Sequence, residues 1–209
     1  MLQIRKFKKS YQSHHVLSIE SLDIPPGISW LKGINGAGKT SLFKSLAGIL
    51  PFEGEVIFDS VNLKKDPIGF RRIVNYSEAE PDYPTFLTAK DLVRFIGKAK
   101  RSSEQEQSYY CDKLGVSAYF NKPCGTFSSG MIKKMSLAIA FLGNPKLIIL
   151  DEPLVTLDVA ARAALMELIL TKLSDPQVTF LMSSHQSMDI SVLPVRNTYE
   201  IQNKTIVTQ

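Results

Sequence analysis

Gly33-Ile-Asn-Gly-Ala-Gly-Lys-Thr-Ser41 carries very little side chain and then a single lysine. Gly33, Gly36 and Gly38 let a loop curl until its N–H groups face inward, and Asn35 and Ala37 complete the curl. The stretch fits GxxxxGK[ST], with an apolar run (Ile28 to Leu31) before it and helical spacing (Leu42, Phe43, Leu46, Ile49, Leu50) after it. Such a strand–loop–helix is a phosphate cradle: loop amides and the positive end of the helix face the anion. In it Lys39 supplies a point charge for the β- and γ-phosphates. Thr40 offers a hydroxyl to Mg²⁺, and Ser41 follows on the same turn.

A second group of residues suits the same ligand. Leu147-Ile-Ile-Leu150 is an apolar run that ends in Asp151 and Glu152. Parallel strands present ligands at their carboxyl ends. Asp151 can hold Mg²⁺, directly or through water, and Glu152 can position or deprotonate an attacking water. A strand that merely stops at a solvated turn often ends in one carboxylate, and seldom in a pair behind four buried residues. Loop and strand together specify hydrolysis of a nucleoside triphosphate.

The elements that must carry these groups follow from periodicity. Residues 2–7 and 14–24 read as strands around a loop at Tyr11 to Ser13. A helix is expected over 39–50, closed by Pro51. GEVIFDSVNL reads as strand, turn, strand. The stretch from Pro81 to Ala140 is rich in helix formers and has no strand-like run. Residues 158–173 read as a helix, QVTFLMSSH as a buried strand, and the last residues as a hairpin turning near Asn203. Short apolar strands alternating with helices predict an α/β fold with a parallel core sheet.

Composition narrows the class. The 209 residues are ordinary for one globular domain, with a net charge of +5. No dense Lys/Arg tract is present, so nucleic acid is not expected as a partner. No apolar run reaches the ~20 residues of a membrane span, and the N-terminus lacks the apolar stretch of a signal peptide. Cys111 and Cys124 are expected to be free thiols, and the three histidines form no metal-ligand spacing.

Over almost its whole length, and in the same motif order, the chain resembles the nucleotide-binding subunits of ATP-binding-cassette (ABC) transporters. GINGAGKTS matches that family's phosphate loop and LIILDEP its Walker B strand. Phe127-Ser-Ser-Gly-Met131 stands where the family has its LSGGQ signature. Val155-Thr-Leu-Asp158 resembles the D-loop, and Ser183-Ser-His185 places a histidine at the switch position. By themselves FSSGM reads as a helix cap, Asp158 as another, and His185 as a surface histidine; the motif order favours the functional readings. Ser128 caps the helix that follows it, and that helix end offers hydroxyl and N–H donors to an anion.

The resemblance implies a P-loop NTPase core with a mostly parallel sheet, an N-terminal antiparallel β subdomain and an inserted helical subdomain. The single domain, 1–209, then divides into a catalytic core with the β subdomain (1–80 and 141–209) and a helical signature subdomain (81–140). The cofactors implied are ATP and Mg²⁺. Ser128 and Gly130 would act in trans on the ATP of a head-to-tail partner, in a homodimer or a heterodimer with a related cassette. Asp158 would link the two sites, His185 would reach the γ-phosphate, and Tyr11 would stack on adenine. A separate transmembrane permease would hold the subunit at the cytoplasmic face of the membrane, docked near Tyr83, Pro84, Phe86 and Leu87; these residues also suit ordinary core packing. A soluble clamp or switch using the same ATP-dependent dimerisation is the other class.

Two departures matter. The family's Q-loop glutamine is absent from IVNYSEAEPDYPTFLT. Alignment on Pro84 puts Glu78, a possible Mg²⁺ ligand, at that position; alignment on Thr88 puts Ala79 there, and Glu80 is within reach. The signature has Phe127, Ser129 and Met131 in place of Leu, Gly and Gln, as in ATPases of the simpler exporter type.

Overall fold

Leu2 and Ile4 are fully buried in alternation with more exposed neighbours, as a strand with one covered face requires, and an irregularity at Lys6 (φ +47) shifts the alternation so that Phe7 is buried as well. This strand, β1 (Leu2–Tyr11), pairs antiparallel with β2 (His14–Ile24) across a tight turn. The computed structural model describes residues 1–184 and 193–208. β3 (Gly27–Lys32) leads through the glycine loop into α1 (Lys39–Leu46). β4 (Glu53–Phe58) and β5 (Val61–Asn62) complete a four-stranded sheet ordered β2-β1-β4-β5, antiparallel throughout. That is the expected N-terminal β subdomain.

α1 ends at Leu46, short of the expected residue 50. Gly48 adopts φ +73, and the N–H groups of Ile49 and Leu50 turn back to the carbonyl of Lys44. The reversed chain satisfies the last carbonyls of the helix before Pro51 is reached.

α2 (Pro67–Ile73) and β6 (Val74–Ser77) were not legible beforehand. Asp66 caps α2 through the Gly69 N–H, and Pro67 sits at its first position, where a missing N–H costs nothing. Then come α3 (Ala89–Lys100), α4 (Glu104–Lys113), two short 3₁₀ turns, and α5 (Ser129–Ala140). This segment is helical, as its composition predicts. β7 (Leu147–Leu150), α6 (Val159–Lys172), β8 (Thr179–Ser184), β9 (Val195–Gln202) and β10 (Thr205–Thr208) follow.

The second sheet runs β10-β9-β3-β8-β7-β6, parallel except for the terminal β9–β10 hairpin. All four residues of β7 and all six of β8 are buried, which explains their unbroken apolar runs. One apolar cluster lies between this sheet, α5, α6 and the helical segment, and includes the neighbouring rings of Phe141 and Phe180. A second fills the space between the two sheets and α1, around Phe7, Phe43 and Phe58. Cys111 and Cys124 are buried free thiols. Among the described residues no helix is long and apolar enough to cross a membrane.

Candidate functional site

Register brings the chemistry together. β6, β7 and β8 are parallel and in step, so Glu78, Asp151 and Ser183 emerge side by side at their carboxyl ends. β3 runs parallel to β8 and delivers the glycine loop to the same edge. A cleft of 1050 Å³ opens there, lined by Asn35 to Ser41, Tyr11, Lys44, Glu78, Glu80 and Glu152, among others.

The loop has the form a phosphate needs. α2 to α6 each carry a side chain that caps their first turn, whereas α1 starts at Gly38 with none. Its first N–H groups therefore remain available to an anion. Gly38 has φ +106, and a Cβ there would stand 2.9 Å from Val16, so only glycine fits the turn. Lys39 is 6% exposed, and its ammonium donates to the carbonyls of Gly33 at 2.7 Å and Ile34 at 3.1 Å. The ammonium thus sits inside the curl of the loop.

Asp151 is fully buried at the end of β7. Thr40 Oγ1 donates to its Oδ2 at 2.6 Å and Ser183 Oγ to its Oδ1 at 2.5 Å. Ser183 also accepts from the Glu152 N–H at 3.1 Å. Glu152 itself has φ +46, uncommon for a residue with a side chain, and the turn it makes aims it into the cleft. On β6, the buried Tyr76 hydroxyl has no hydrogen-bond partner. Burial, and then the charges of Asp151 and Glu78, raise its pKa far above the usual phenol range. A hydroxyl oxygen and a buried carboxylate at one point suit Mg²⁺, which takes one or two protein oxygens and keeps waters and phosphate oxygens for the rest.

Glu78 lies beside this point, but its carboxylate is held by Lys44 of α1 at 2.6 Å. Glu80 lines the same cleft. The Tyr11 ring stands at the cleft mouth, its hydroxyl 3.2 Å from Ser41 Oγ and one face beneath the Lys9 ammonium at 4.4 Å.

Ser128, Gly130 and Asp158 are not brought to this cleft within one chain. Ser128 is exposed and caps α5 through the Met131 N–H at 3.2 Å. A Cβ on Gly130 would meet the Thr156 carbonyl at 2.9 Å, so the signature and the D-loop touch through a glycine. Asp158 caps α6 and accepts from Lys134 of α5 at 2.5 Å; that bond and the cap hold its carboxyl below the usual range. His185 lies outside the described residues.

The roles of Ser183 and Lys44 were missed by sequence reading: Ser183 stands out only as part of the stretch leading to His185, and a lysine on a helix carries no motif. Ser183→Ala removes a donor from a buried carboxylate and an acceptor from the Glu152 turn. It is expected to destabilise the fold by about 1–3 kcal/mol in urea unfolding. An unchanged midpoint would mean that the Asp151 carboxylate finds another donor.

Phosphate loop, buried Walker aspartate, following glutamate and a capped signature helix on one α/β frame define an ATP-binding cassette. The chain belongs to the ABC transporter family, whose profile matches residues 18–155. It is 33% identical over 187 residues to the lantibiotic transport ATP-binding protein SrtF of Streptococcus pyogenes, covering 88% of this chain and 80% of that one. It is 28% identical over 204 residues to ATP-binding cassette sub-family A member 7 of Rattus norvegicus, covering 94% of this chain but 9% of that protein's length. The fold superposes with a TM-score of 0.83 on an ATP-binding cassette solved as a dimer in a post-hydrolysis state with ADP and Pi. That match is at 21% identity and covers 100% of this chain and 98% of the other.

Proposed function

We propose that this chain is the ATPase subunit of a transporter whose membrane-spanning part is a separate protein. It binds ATP in the cleft, dimerises head-to-tail around two nucleotides, hydrolyses them and resets. The observation that carries the reading is the meeting of Thr40, Asp151 and Glu152 beside an uncapped helix start that holds Lys39.

Lys39 and the amides of residues 33–41 hold the phosphates, with Asn35, Ala37 and Ser41 part of that wall. Thr40 and Asp151 would hold Mg²⁺, which when bound neutralises phosphate charge; Glu78 is a third candidate once released from Lys44. Glu152 orients the attacking water and accepts its proton, and His185 completes the γ-phosphate contact. Tyr11 stacks on adenine through the face that Lys9 leaves open. The exposed Ser128 and the half-buried Gly130 meet the partner's nucleotide, and Asp158 joins the two sites.

Residues 1–80 and 141–209 serve as the catalytic core with its β subdomain, and 81–140 as the helical signature subdomain. Between them runs a groove of 530 Å³ lined by Ile49, Ile68, Tyr83 and Ile96, among others, and Phe86, three residues after Tyr83, is exposed. Leu87 packs against the core, so the docking face falls to the groove, with the partly buried Tyr83 in its wall, and to Phe86. The permease then holds the subunit at the cytoplasmic face of the membrane. Export is the direction that the altered signature favours. The test is hydrolysis of MgATP by the purified chain, together with co-purification of a multi-span membrane protein. A chain that neither binds nor hydrolyses ATP overturns the reading; hydrolysis without any membrane partner points to the soluble clamp.

A further inference from the structure

α5 presents Ser128 at its exposed start and buries Met135, Leu137, Ala138 and Ile139 further along. Lys133 is the charged residue on that inner side: a lysine at 1% exposure among mostly apolar residues. A buried ammonium is costly unless its donors are satisfied, so its bonds must be accounted for. All three run to main-chain carbonyls: Glu78 at 2.5 Å, Ala79 at 3.2 Å and Asp151 at 2.8 Å. Burial pulls its pKa down to about 8, against the pull of the Asp151, Glu152 and Glu78 charges.

These three carbonyls belong to two loops of the chain's own nucleotide site. Residues 78–79 leave β6 beside the cleft, and Asp151 is bonded through its peptide to Glu152. A methionine or leucine would fill the same space without reaching them. The lysine therefore does something packing does not require: it joins the signature helix to both loops through one rigid point. The neighbouring Lys134 makes a second tie, to Asp158.

We propose that Lys133 is a positioning residue that sets the two half-sites together, holding the Glu78–Ala79 and Asp151–Glu152 backbones to the helix that offers Ser128 to the partner's nucleotide. This rests on the ATPase reading above. Its consequence is that a shift of the loop beside Glu78 moves the signature helix and the glutamate turn as one body. No motif marks it, because a lysine two residues after a signature reads as a solvated helix side chain.

The test is Lys133→Met in the full chain, nearly isosteric and without donors. Amide hydrogen exchange, with no nucleotide added, is expected to quicken over residues 78–80 and 151–152 and to stay unchanged over 39–46. With MgATP, kcat is expected to fall about tenfold to a hundredfold, with KM within about threefold and a melting temperature close to the parent's. Exchange and kcat both at parental values would overturn the proposal. So would a fall in melting temperature with KM worsening in step, which is the signature of a packing residue. Should Lys133→Met not fold, Lys133→Gln keeps a shorter donor and is read by the same measurements, with a smaller change of the same sign. Failure of the ATPase reading is distinguishable, since the parent chain would then hydrolyse nothing while the exchange comparison still reads Lys133.

Discussion

Glu152→Gln is expected to keep MgATP bound, to slow hydrolysis by about 10²–10⁴-fold and to trap a dimer. The amide matches the carboxylate in size but cannot take a proton from water. The turn that carries it should survive, because the Ser183 hydroxyl holds the main-chain N–H of residue 152 and not its side chain. Light scattering with and without MgATP reads the outcome: a mass that doubles only with MgATP shows the nucleotide sandwich, and with it the trans role of Ser128 and Gly130. Normal hydrolysis by the variant would remove Glu152 from catalysis. A monomer under both conditions would mean that Phe127, Ser129 and Met131 leave a signature too weak to close the dimer without the permease.

Lys39→Ala is expected to abolish measurable ATP binding. The ammonium is buried within the loop and is already satisfied by the Gly33 and Ile34 carbonyls, so it is positioned before the nucleotide arrives. Charge-assisted bonds to two phosphates are together worth about 3 kcal/mol or more, which is a hundredfold or greater rise in Kd. Titration calorimetry with MgATP measures it directly. Binding at parental strength would dismiss the phosphate-loop assignment and the functional reading that depends on it. The fold itself should survive, because the substitution keeps a good helix former at the first position of α1.

The two proposed ATP contacts were legible because their chemistry is local. Residues 33–41 and 147–152 are each one uninterrupted stretch, and their glycines, lysine and carboxylates fall at spacings that only a few structures use. The buried runs of β7 and β8, the helical segment after Pro81 and the terminal hairpin were legible for the same reason. α2 and β6 were not: one is 7 residues long and the other 4, too short to establish a period. The end of α1 was misplaced because Leu50 and Ile49 continue a helical apolar pattern that Gly48 interrupts through its backbone, without a polar residue to signal the break.

Residues far apart in sequence were beyond the reach of pattern. Thr40 and Asp151 are 111 positions apart and meet at 2.6 Å; Lys133 reaches Glu78 across 55 positions. The pairing of Lys44 with Glu78, the support that Ser183 gives to Asp151 and the burial of Lys133 have no sequence signature. Pattern along the chain therefore dictates which ligand is bound, since phosphate recognition uses contiguous backbone. Which side chains hold that site in place is decided by strand register and by the packing of α5 against the sheet. Each such contact joins segments that are neighbours only once β6, β7 and β8 lie side by side.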